Sequence, residues 1–259
     1  MRLKTAAALI LVAWLIVSLP SAAQPPPKRG PAAPPAAALD GITFAVEPGV
    51  LYLPAREVAT ALGWPLRWHG RTGTLYLNNA PVPPARARWL PNDTLLVPLR
   101  ALTAQGVRLG WDHTRGMTSI THAERVFWVR EGAKRVAINR AVQRLRAWQG
   151  ERLVLDTRVS TGMPGHRTPT GSFRAGPIKD RMHYSRLYGN APMPWSVQVI
   201  GDVFIHGFRS VPRRPASHGC VRLPLTGKNP ARWFWEWIDV GTPIVIADHW
   251  PPSPPRPAP

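Results

Sequence analysis

The only cysteine of this chain, Cys220, lies among side chains that can activate a thiol. His206 and His218 precede it, and Arg222 follows shortly after it. A thiol attacks well only as thiolate, and nearby imidazolium and guanidinium charges favour that ionised form. The pattern therefore predicts a cysteine nucleophile that carries out acyl transfer.

Glycines follow His206 and His218 directly, as Gly207 and Gly219. A residue without a side chain lets the backbone approach a substrate closely. Backbone N–H groups around Gly219 and Cys220 are candidates for an oxyanion hole, which would stabilise the charge that develops on the attacked carbonyl. We therefore expect the nucleophile and the oxyanion hole in one loop.

A metal site is the alternative for these residues, because thiolate and imidazole also bind zinc. The chain has one cysteine and no Cys-x-x-Cys pair, which favours catalysis over metal binding. His69 and His113 each follow a tryptophan in the first half, and we interpret them as exposed turn residues. We expect neither a metal nor a cofactor.

The composition is strongly basic, with 33 lysine and arginine residues against 14 aspartate and glutamate residues in 259, a net charge of +19. That length suits one or two domains with their own cores. No zinc-finger, homeodomain or RNA-binding signature accompanies the charge, so we expect no nucleic-acid partner. Anionic polymers of the cell envelope are one explanation of the charge, and a generally solvated basic surface is the other.

Residues 1–23 are predicted to be a secretory signal peptide. Arg2 and Lys4 precede an apolar run over 6–17, and small residues at 21–23 form a cleavage pattern. An uncleaved membrane anchor is the alternative, because a span needs about 20 apolar residues. We expect export to the periplasm or cell envelope, where a lone cysteine is left as an intermolecular link or a reactive thiol.

Low-complexity segments flank the part of the chain that we expect to fold. Residues 24–38 are rich in proline and alanine, and residues 250–259 form a proline-rich tail. Neither has apolar periodicity, so we interpret them as a linker and an extended end. Two domains are expected between them, at residues 39–122 and 124–249.

The first domain repeats itself after about 44 residues. Residues 51–56 and 95–100 each run from a strand-like segment into Pro-x-Arg, at the start of a short helical stretch. A glycine and then a tryptophan follow each copy: Gly63 and Trp68 in the first, Gly106 and Trp111 in the second. The pattern indicates a small α+β domain made of two copies of one unit.

These repeats resemble the copper amine oxidase N-terminal-like module of exported bacterial proteins. The resemblance implies no copper site, and it favours a recognition or spacer role. We expect the repeats to form their own core, joined to the second domain only through the charged junction at residues 123–135. A fragment that begins near Glu124 is then expected to fold by itself.

Alternating apolar residues predict that the second domain is built mainly of strands. After a hairpin turn at Gly150, every second residue from Leu153 to Val159 is expected on one face. Residues 197–200 and 203–205 are predicted to be strands, and the second of them leads directly into His206.

Two later segments of this domain have other patterns. Residues 174–195 show no period, and beside a reactive thiol we interpret them as a lid loop. Asn229 and the proline after it predict the start of a helix, with an aromatic stripe over 233–238 in the core. We expect this helix to end at Gly241, before a last buried strand at 243–247.

Four motifs in this order resemble the L,D-transpeptidase (YkuD-type) catalytic domain over residues 124–249. They are STG at 160–162, TPTG at 168–171, IHG at 205–207 and SHGCVR at 217–222. The resemblance implies a mostly β fold, a sandwich of two mixed sheets with the cysteine loop at one edge and a helix packed alongside. It also implies a role in bacterial peptidoglycan, with stem peptides as substrates.

Carried over residue by residue, the resemblance implies that Cys220 is the nucleophile and His206 the general base. The carbonyl of Gly207 would orient the imidazole, while His218 and Gly219 would shape the acyl site. A base on a strand is also positioned better than one on a loop, which favours His206 over His218.

Arg222 and Ser217 would bind substrate, the former through a carboxylate. The loop at 207–216 is shorter than in many members of the family, so the acyl acceptor stays open. The alternatives to an L,D-transpeptidase are an L,D-carboxypeptidase of the same fold and a non-catalytic protein that binds peptidoglycan.

Overall fold

The computed structural model describes residues 38–82 and 87–251. The predicted signal peptide lies outside these residues, as do the predicted linker up to residue 37 and the tail from residue 252. No helix of the described part is both long and apolar enough to cross a membrane.

The first half of the described chain consists of short strands, one α-helix and one 3₁₀ helix. The elements are β1 (Leu39–Phe44), β2 (Glu47–Pro54), α1 (Ala55–Leu62), β3 (Leu66–His69), β4 (Thr74–Leu77), β5 (Ala80–Val82), β6 (Arg88–Trp89), β7 (Leu95–Pro98), the 3₁₀ helix (Leu99–Gln105), β8 (Arg108–Asp112), β9 (Met117–His122) and β10 (Arg125–Glu131). Seven of these strands form one sheet in the order β6-β7-β2-β1-β10-β9-β8, and β3-β4-β5 form another.

Both predicted transitions from strand to helix are present, and the two copies lie side by side. Strands β2 and β7 pair antiparallel, with Leu53 opposite Val97. The helical segment after each strand ends at a glycine in the left-handed region, Gly63 at φ 70° and Gly106 at φ 79°. Because a side chain is strained at such angles, glycine ends both segments.

The second half forms the predicted sandwich of two mixed sheets. Its elements are β11 (Lys134–Asn139), β12 (Arg144–Gln149), β13 (Arg152–Arg158), β14 (Gly171–Arg174), β15 (Lys179–Ser185), β16 (Ala191–Ile200), β17 (Val203–Phe208), β18 (Val221–Pro224), α2 (Pro230–Trp237) and β19 (Pro243–Ala247). One sheet has the order β13-β12-β11-β19-β14 and the other β15-β16-β17-β18. Each contains one parallel pair, β11 with β19 and β17 with β18. The predicted mostly β fold is confirmed.

The lid loop predicted for residues 174–195 is wrong, because most of this segment is a β-hairpin of β15 and β16. The sequence did not predict this hairpin because it contains prolines, which are uncommon in strands. Pro192 and Pro194 pair only with β15, since β17 joins β16 from Val197 onward. A proline lacks an N–H group, and a strand with one neighbour tolerates that lack.

Two further details of the second half differ from the prediction: the face on which Leu153 lies and the end of α2. Leu153 is 38% exposed rather than buried, because a bulge places Val154 in the core between Leu153 and Leu155. One extra residue in a strand reverses the faces that follow it. Helix α2 ends at Trp237 rather than at Gly241, since Ile238 is already extended.

The prediction that the two halves are joined only through a charged junction is wrong. Strand β10, from within that junction, pairs with β1 and β9, so the first half extends to Glu131. Ile42 and Phe44 of β1 belong to the same buried cluster as Trp233 and Trp237 of α2. The halves therefore share a core.

Polar contacts cross the same boundary. The Arg88 guanidinium lies 2.7 Å from Glu47 of the first half and 2.8 Å from Glu236 on α2. The Trp233 indole N–H donates to the carbonyl of Trp89 at 3.0 Å. These partners satisfy groups that the shared core removes from water.

We expect Phe44→Ala to destabilise both halves together, because the Phe44 ring packs edge-on against Trp233 with centroids 5.7 Å apart. Truncation of a buried phenylalanine costs about 3–5 kcal/mol. Chemical denaturation measures the free energy of unfolding, and hydrogen exchange of β11 to β13 reports the second half. Val46→Ala, at an exposed position, is the control. Unchanged exchange in β11 to β13 would mean that the halves are independent.

Candidate active site

Cys220 and His206 are brought together by the parallel pair β17 and β18. His206 is opposite Arg222 in this pair, and Cys220 immediately precedes β18. Alternate residues of a strand share a face, so the thiol and the guanidinium lie on the side of His206. These three side chains, together with Ser217 and His218, line one cleft of about 80 Å³.

The sulfur of Cys220 contacts two backbone groups at the start of the strand that carries His206, one in β17 and one just before it. The N–H of Phe204 donates to Sγ at 3.5 Å, and Sγ lies 3.6 Å from the carbonyl oxygen of Asp202. Burial raises the pKa of the Cys220 thiol, while the Phe204 N–H and Arg222 act in the opposite direction. The thiol form is therefore favoured in the free protein, contrary to our expectation of a thiolate.

His206 is 4% exposed, and its Nδ1 lies 3.0 Å from the carbonyl oxygen of Gly207. A carbonyl only accepts, so this contact places the proton on Nδ1 and leaves Nε2 unprotonated. Burial lowers the pKa of His206 to about 4, and the charge of Arg222 acts in the same direction. The imidazole is thus neutral at physiological pH and can accept a proton at Nε2.

Gly207, directly after His206, fits closely against its neighbours. A Cβ there would overlap the end of the Leu225 side chain and lie 3.1 Å from the Cβ of Ala231, the latter on α2. A side chain at this position would therefore require Leu225 to shift. Gly207 holds Nδ1 of His206 through its carbonyl but does not line the cleft.

Ser217 and Gly219 hold the shape of the cysteine loop. The Ser217 hydroxyl accepts the N–H of Gly219 at 3.2 Å and donates to the carbonyl of Cys220. The Gly219 N–H is thus occupied and does not serve in the predicted oxyanion hole. The N–H of Cys220 meets no acceptor within the described segments, which makes it the better candidate for that role.

The STG and TPTG motifs, which precede the β15–β16 hairpin, give the cysteine loop a second set of hydrogen bonds. The Thr168 hydroxyl accepts the N–H of Gly162 at 2.9 Å and donates to the carbonyl of Gly219 at 2.7 Å. Gly162 itself must be glycine, because a Cβ there would collide with the backbone of His166. The sequence motifs did not predict this contact, since its two ends are far apart in the chain.

His218 lies at the mouth of the cleft rather than beside the base. Its exposed ring packs against Tyr188 and His166, with centroids 4.6 Å and 5.0 Å apart. Tyr188 belongs to the turn of the β15–β16 hairpin, which lies over one side of the cleft. No pattern in the sequence assigned Tyr188 to the site, because the segment around it lacks a period.

Arg222 both supports the loop before Cys220 and lines the cleft. Its guanidinium stacks on the Phe208 ring at 4.0 Å and donates to the carbonyl of Ala216 at 2.9 Å. Its Nε is buried without a partner in the described part of the chain. A positive group that is only partly satisfied and lines the cleft suits an anionic substrate group.

The described residues contain no cluster of three or more histidine, cysteine, aspartate or glutamate side chains that could hold a metal ion. His69 and His113 are both exposed residues of the first half. The chemistry that the site can perform is that of a cysteine with a neutral histidine.

Replacing Thr168 with valine tests whether its hydroxyl supports the cysteine loop. The change leaves the Gly162 N–H and the Gly219 carbonyl buried without partners, at a cost of about 1–3 kcal/mol each. We expect acylation of Cys220 by a β-lactam to slow by at least about tenfold, since a shift of about 1 Å can cost more. Thr170→Val, at an exposed site, is the matched control and should keep the wild-type rate. Equal rates in both variants would remove Thr168 from the support of the loop.

Residues 133–246 match the model of the YkuD family, which is described as an L,D-transpeptidase catalytic domain. No protein of curated function is significantly similar to this chain. The family match covers the two sheets, the cysteine loop and α2. It does not reach residues 39–122, where the copper amine oxidase-like module stays a prediction.

Solved structures of L,D-transpeptidases are similar to part of the chain. One from Xylanimonas cellulosilytica is 30% identical over 45% of this chain and 61% of its own, with a TM-score of 0.41. One from Stackebrandtia nassauensis is 25% identical over 49% of this chain and 58% of its own, with a TM-score of 0.40. L,D-transpeptidase 1 of Mycobacterium tuberculosis is 20% identical over 83% of this chain and 99% of its own, with a TM-score of 0.37.

The chain thus spans only about three-fifths of the first two of these proteins. For residues 133–246, the match to the family model confirms the resemblance to the YkuD L,D-transpeptidase catalytic domain.

Proposed function

We propose that this protein is an exported cysteine L,D-transpeptidase that acts on the stem peptides of peptidoglycan. One observation carries the proposal: Cys220 and a neutral His206, whose Nδ1 is held by Gly207, line the same cleft. The family match over residues 133–246 supports the reaction class and the substrate. The basic run and cleavage pattern of residues 1–23 support export to the periplasm or envelope.

In the first step the thiol attacks the carbonyl carbon of an L-to-D peptide bond in a tetrapeptide stem. The Nε2 atom of His206 takes the thiol proton as the S–C bond forms. In this proposal the N–H of Cys220 stabilises the oxyanion, and Arg222 holds a substrate carboxylate. The C–N bond then breaks, and the proton on His206 passes to the amine of the departing D-residue.

In the second step an amine attacks the thioester, and His206 takes a proton from it. The C–S bond breaks, the proton returns to the sulfur, and a new peptide bond links the two stems. Water in place of the amine would make the enzyme an L,D-carboxypeptidase. Incubation with defined muropeptides and mass spectrometry of the products separates a cross-linked dimer from a shortened monomer.

The Cys220 thiol and the His206 imidazole are proposed to be both neutral before substrate binds, unlike a preformed pair of thiolate and imidazolium. Burial disfavours both charges, so the proton moves only as the sulfur attacks. The site therefore combines low thiol reactivity in the free protein with proton transfer in the transition state. A non-catalytic wall-binding protein would not need the anchored tautomer of His206.

We expect Cys220→Ser to abolish acylation, because a hydroxyl has a far higher pKa than a thiol and the same imidazole cannot ionise it. Intact mass spectrometry after incubation with a carbapenem should show one adduct on the wild type and none on the variant. The unfolding temperature should stay close to that of the wild type, as the two side chains are nearly isosteric. An adduct on the serine variant at a rate within tenfold of the wild type would sink the assignment of the nucleophile.

The pH dependence of acylation tests the neutral pair. Since burial lowers the pKa of His206 to about 4, we expect kcat/KM to fall only as the pH drops through about 4. An accessible imidazole would lose activity near its ordinary pKa of 6.5. An acid limb close to that higher value would contradict the buried, neutral base.

Folding must be checked at each pH in this experiment. The unfolded chain takes up the proton on His206 near pH 6.5, whereas the folded chain does so only near pH 4. The stability that this residue contributes is therefore complete above the higher value and decreases as the pH falls between the two. Circular dichroism at each pH separates loss of fold from loss of the base.

A further inference from the structure

Exposed tryptophans distinguish the surface of the first half. Trp68 is 51% exposed, Trp89 is 43% exposed and Trp111 is 58% exposed. Burial of such a side chain is strongly favourable, so exposed aromatic surface within a cleft marks a site for a ligand. The catalytic chemistry of Cys220 uses none of the three.

Trp68 and Trp89 form the walls of a cleft of about 510 Å³. Their ring centroids are 5.6 Å apart and their planes meet at 88°, so the rings form a corner. Leu66 and Leu75 also line the cleft. A cavity of this size lies within the usual range for small-molecule sites.

Charged side chains line the rest of this cleft. Arg152 donates to Glu57 at 2.7 Å, but its Nε is buried without a partner among the described residues. Asp93 pairs with Lys228, and Arg56 is exposed at the start of α1. The cleft therefore combines two aromatic faces with hydrogen-bond donors that have capacity left, and its own charges are nearly balanced.

The two aromatic walls are held by the backbone. Trp68 lies in β3 opposite Leu75 of β4. Trp89 lies in β6, and its carbonyl accepts the indole N–H of Trp233 at 3.0 Å. Because both walls are supported by neighbouring structure, little ordering would be needed when a ligand binds.

We propose that this cleft binds a glycan chain of amino sugars. A pyranose ring has an apolar face of C–H bonds, which suits an indole, and a rim of hydroxyl and acetamido groups, which suits Arg56 and Arg152. The near balance of charge favours a saccharide over a polyanion. The identity of the chain as the glycan strand of peptidoglycan rests on the proposed function, and the cleft would hold that strand on the enzyme while Cys220 acts on a stem peptide.

The matched control for this proposal lies in the second repeat. Trp111 occupies the position equivalent to Trp68 and is even more exposed, but its ring faces His113 rather than a second tryptophan. Trp68→Ala and Trp111→Ala thus remove the same side chain, the second from a separate cleft of about 440 Å³. Only the first removes a wall of the Trp68–Trp89 cleft.

The experiment measures binding of peptide-free glycan strands and of chitin oligosaccharides by isothermal titration calorimetry, at 0.15 M and about 0.5 M salt, where surface charges are largely screened. We expect both ligands to bind the wild type at both salt concentrations. Trp68→Ala should weaken binding by at least about tenfold, as expected for loss of a central aromatic contact, and Trp111→Ala should leave it unchanged. Equal loss in both variants, binding that disappears at high salt, or no binding by the wild type would overturn the proposal.

Acylation by a carbapenem provides a separate readout on the same proteins. Trp68→Ala should acylate at the wild-type rate and unfold at the wild-type temperature, since its side chain is half exposed and lines a different cleft from that of Cys220. Glycan binding without acylation would contradict the proposed function but support the glycan site. Acylation without glycan binding would support the proposed function but contradict the glycan site.

Discussion

The burial of the aromatic stripe of α2 is the interaction on which the rest of this structure depends. Trp233, Phe234 and Trp237 belong to the buried cluster that contains residues of both sheets of the second half and of strand β1. The same helix lies beside β17, where Ala231 is close to Gly207. The helix thus packs against the strand that carries His206 and contacts both halves of the protein. A change in its packing is expected to reach the active site and the first half together.

Desolvation decides the electrostatics of the site. The sequence suggested that positive neighbours would ionise the thiol, but burial of Cys220 and His206 outweighs those charges and favours the neutral form of each. Arg222 contributes less than its charge suggests, since it stacks on Phe208 and also bonds to the loop before the cysteine. In the proposed reaction, such a thiol stays unreactive until a substrate supplies an electrophilic carbonyl. The proposed acid limit of activity is then set by the lowered pKa of the buried His206 imidazole.

The first half has a buried cluster of its own, as expected, and also shares a second cluster with the rest of the protein. Its strands β2 and β7 bring the two repeats together, and its strand β1 completes the core beneath α2. Arg88 adds an ion-paired contact between Glu47 and Glu236 across the boundary. A glycan held at Trp68 and Trp89 would therefore lie on a half of the protein that shares buried residues with the half that carries Cys220.

The sequence alone determined the fold class and named the candidate residues of the site, because short motifs around Cys220 and His206 are local and the apolar alternation of strands is visible residue by residue. It also determined where the helical segments begin and where two of them end, since Asn229 and the glycines at 63 and 106 act within one turn, but it did not predict that α2 ends at Trp237. Only the tertiary structure decided the features that depend on contacts between residues far apart in the chain. The Thr168 clamp on Gly219, the bulge at Val154, the proline-containing hairpin and the shared core each depend on a partner distant in sequence. The protonation of the thiol and imidazole belongs to this second group as well, because it depends on how much water the folded protein excludes.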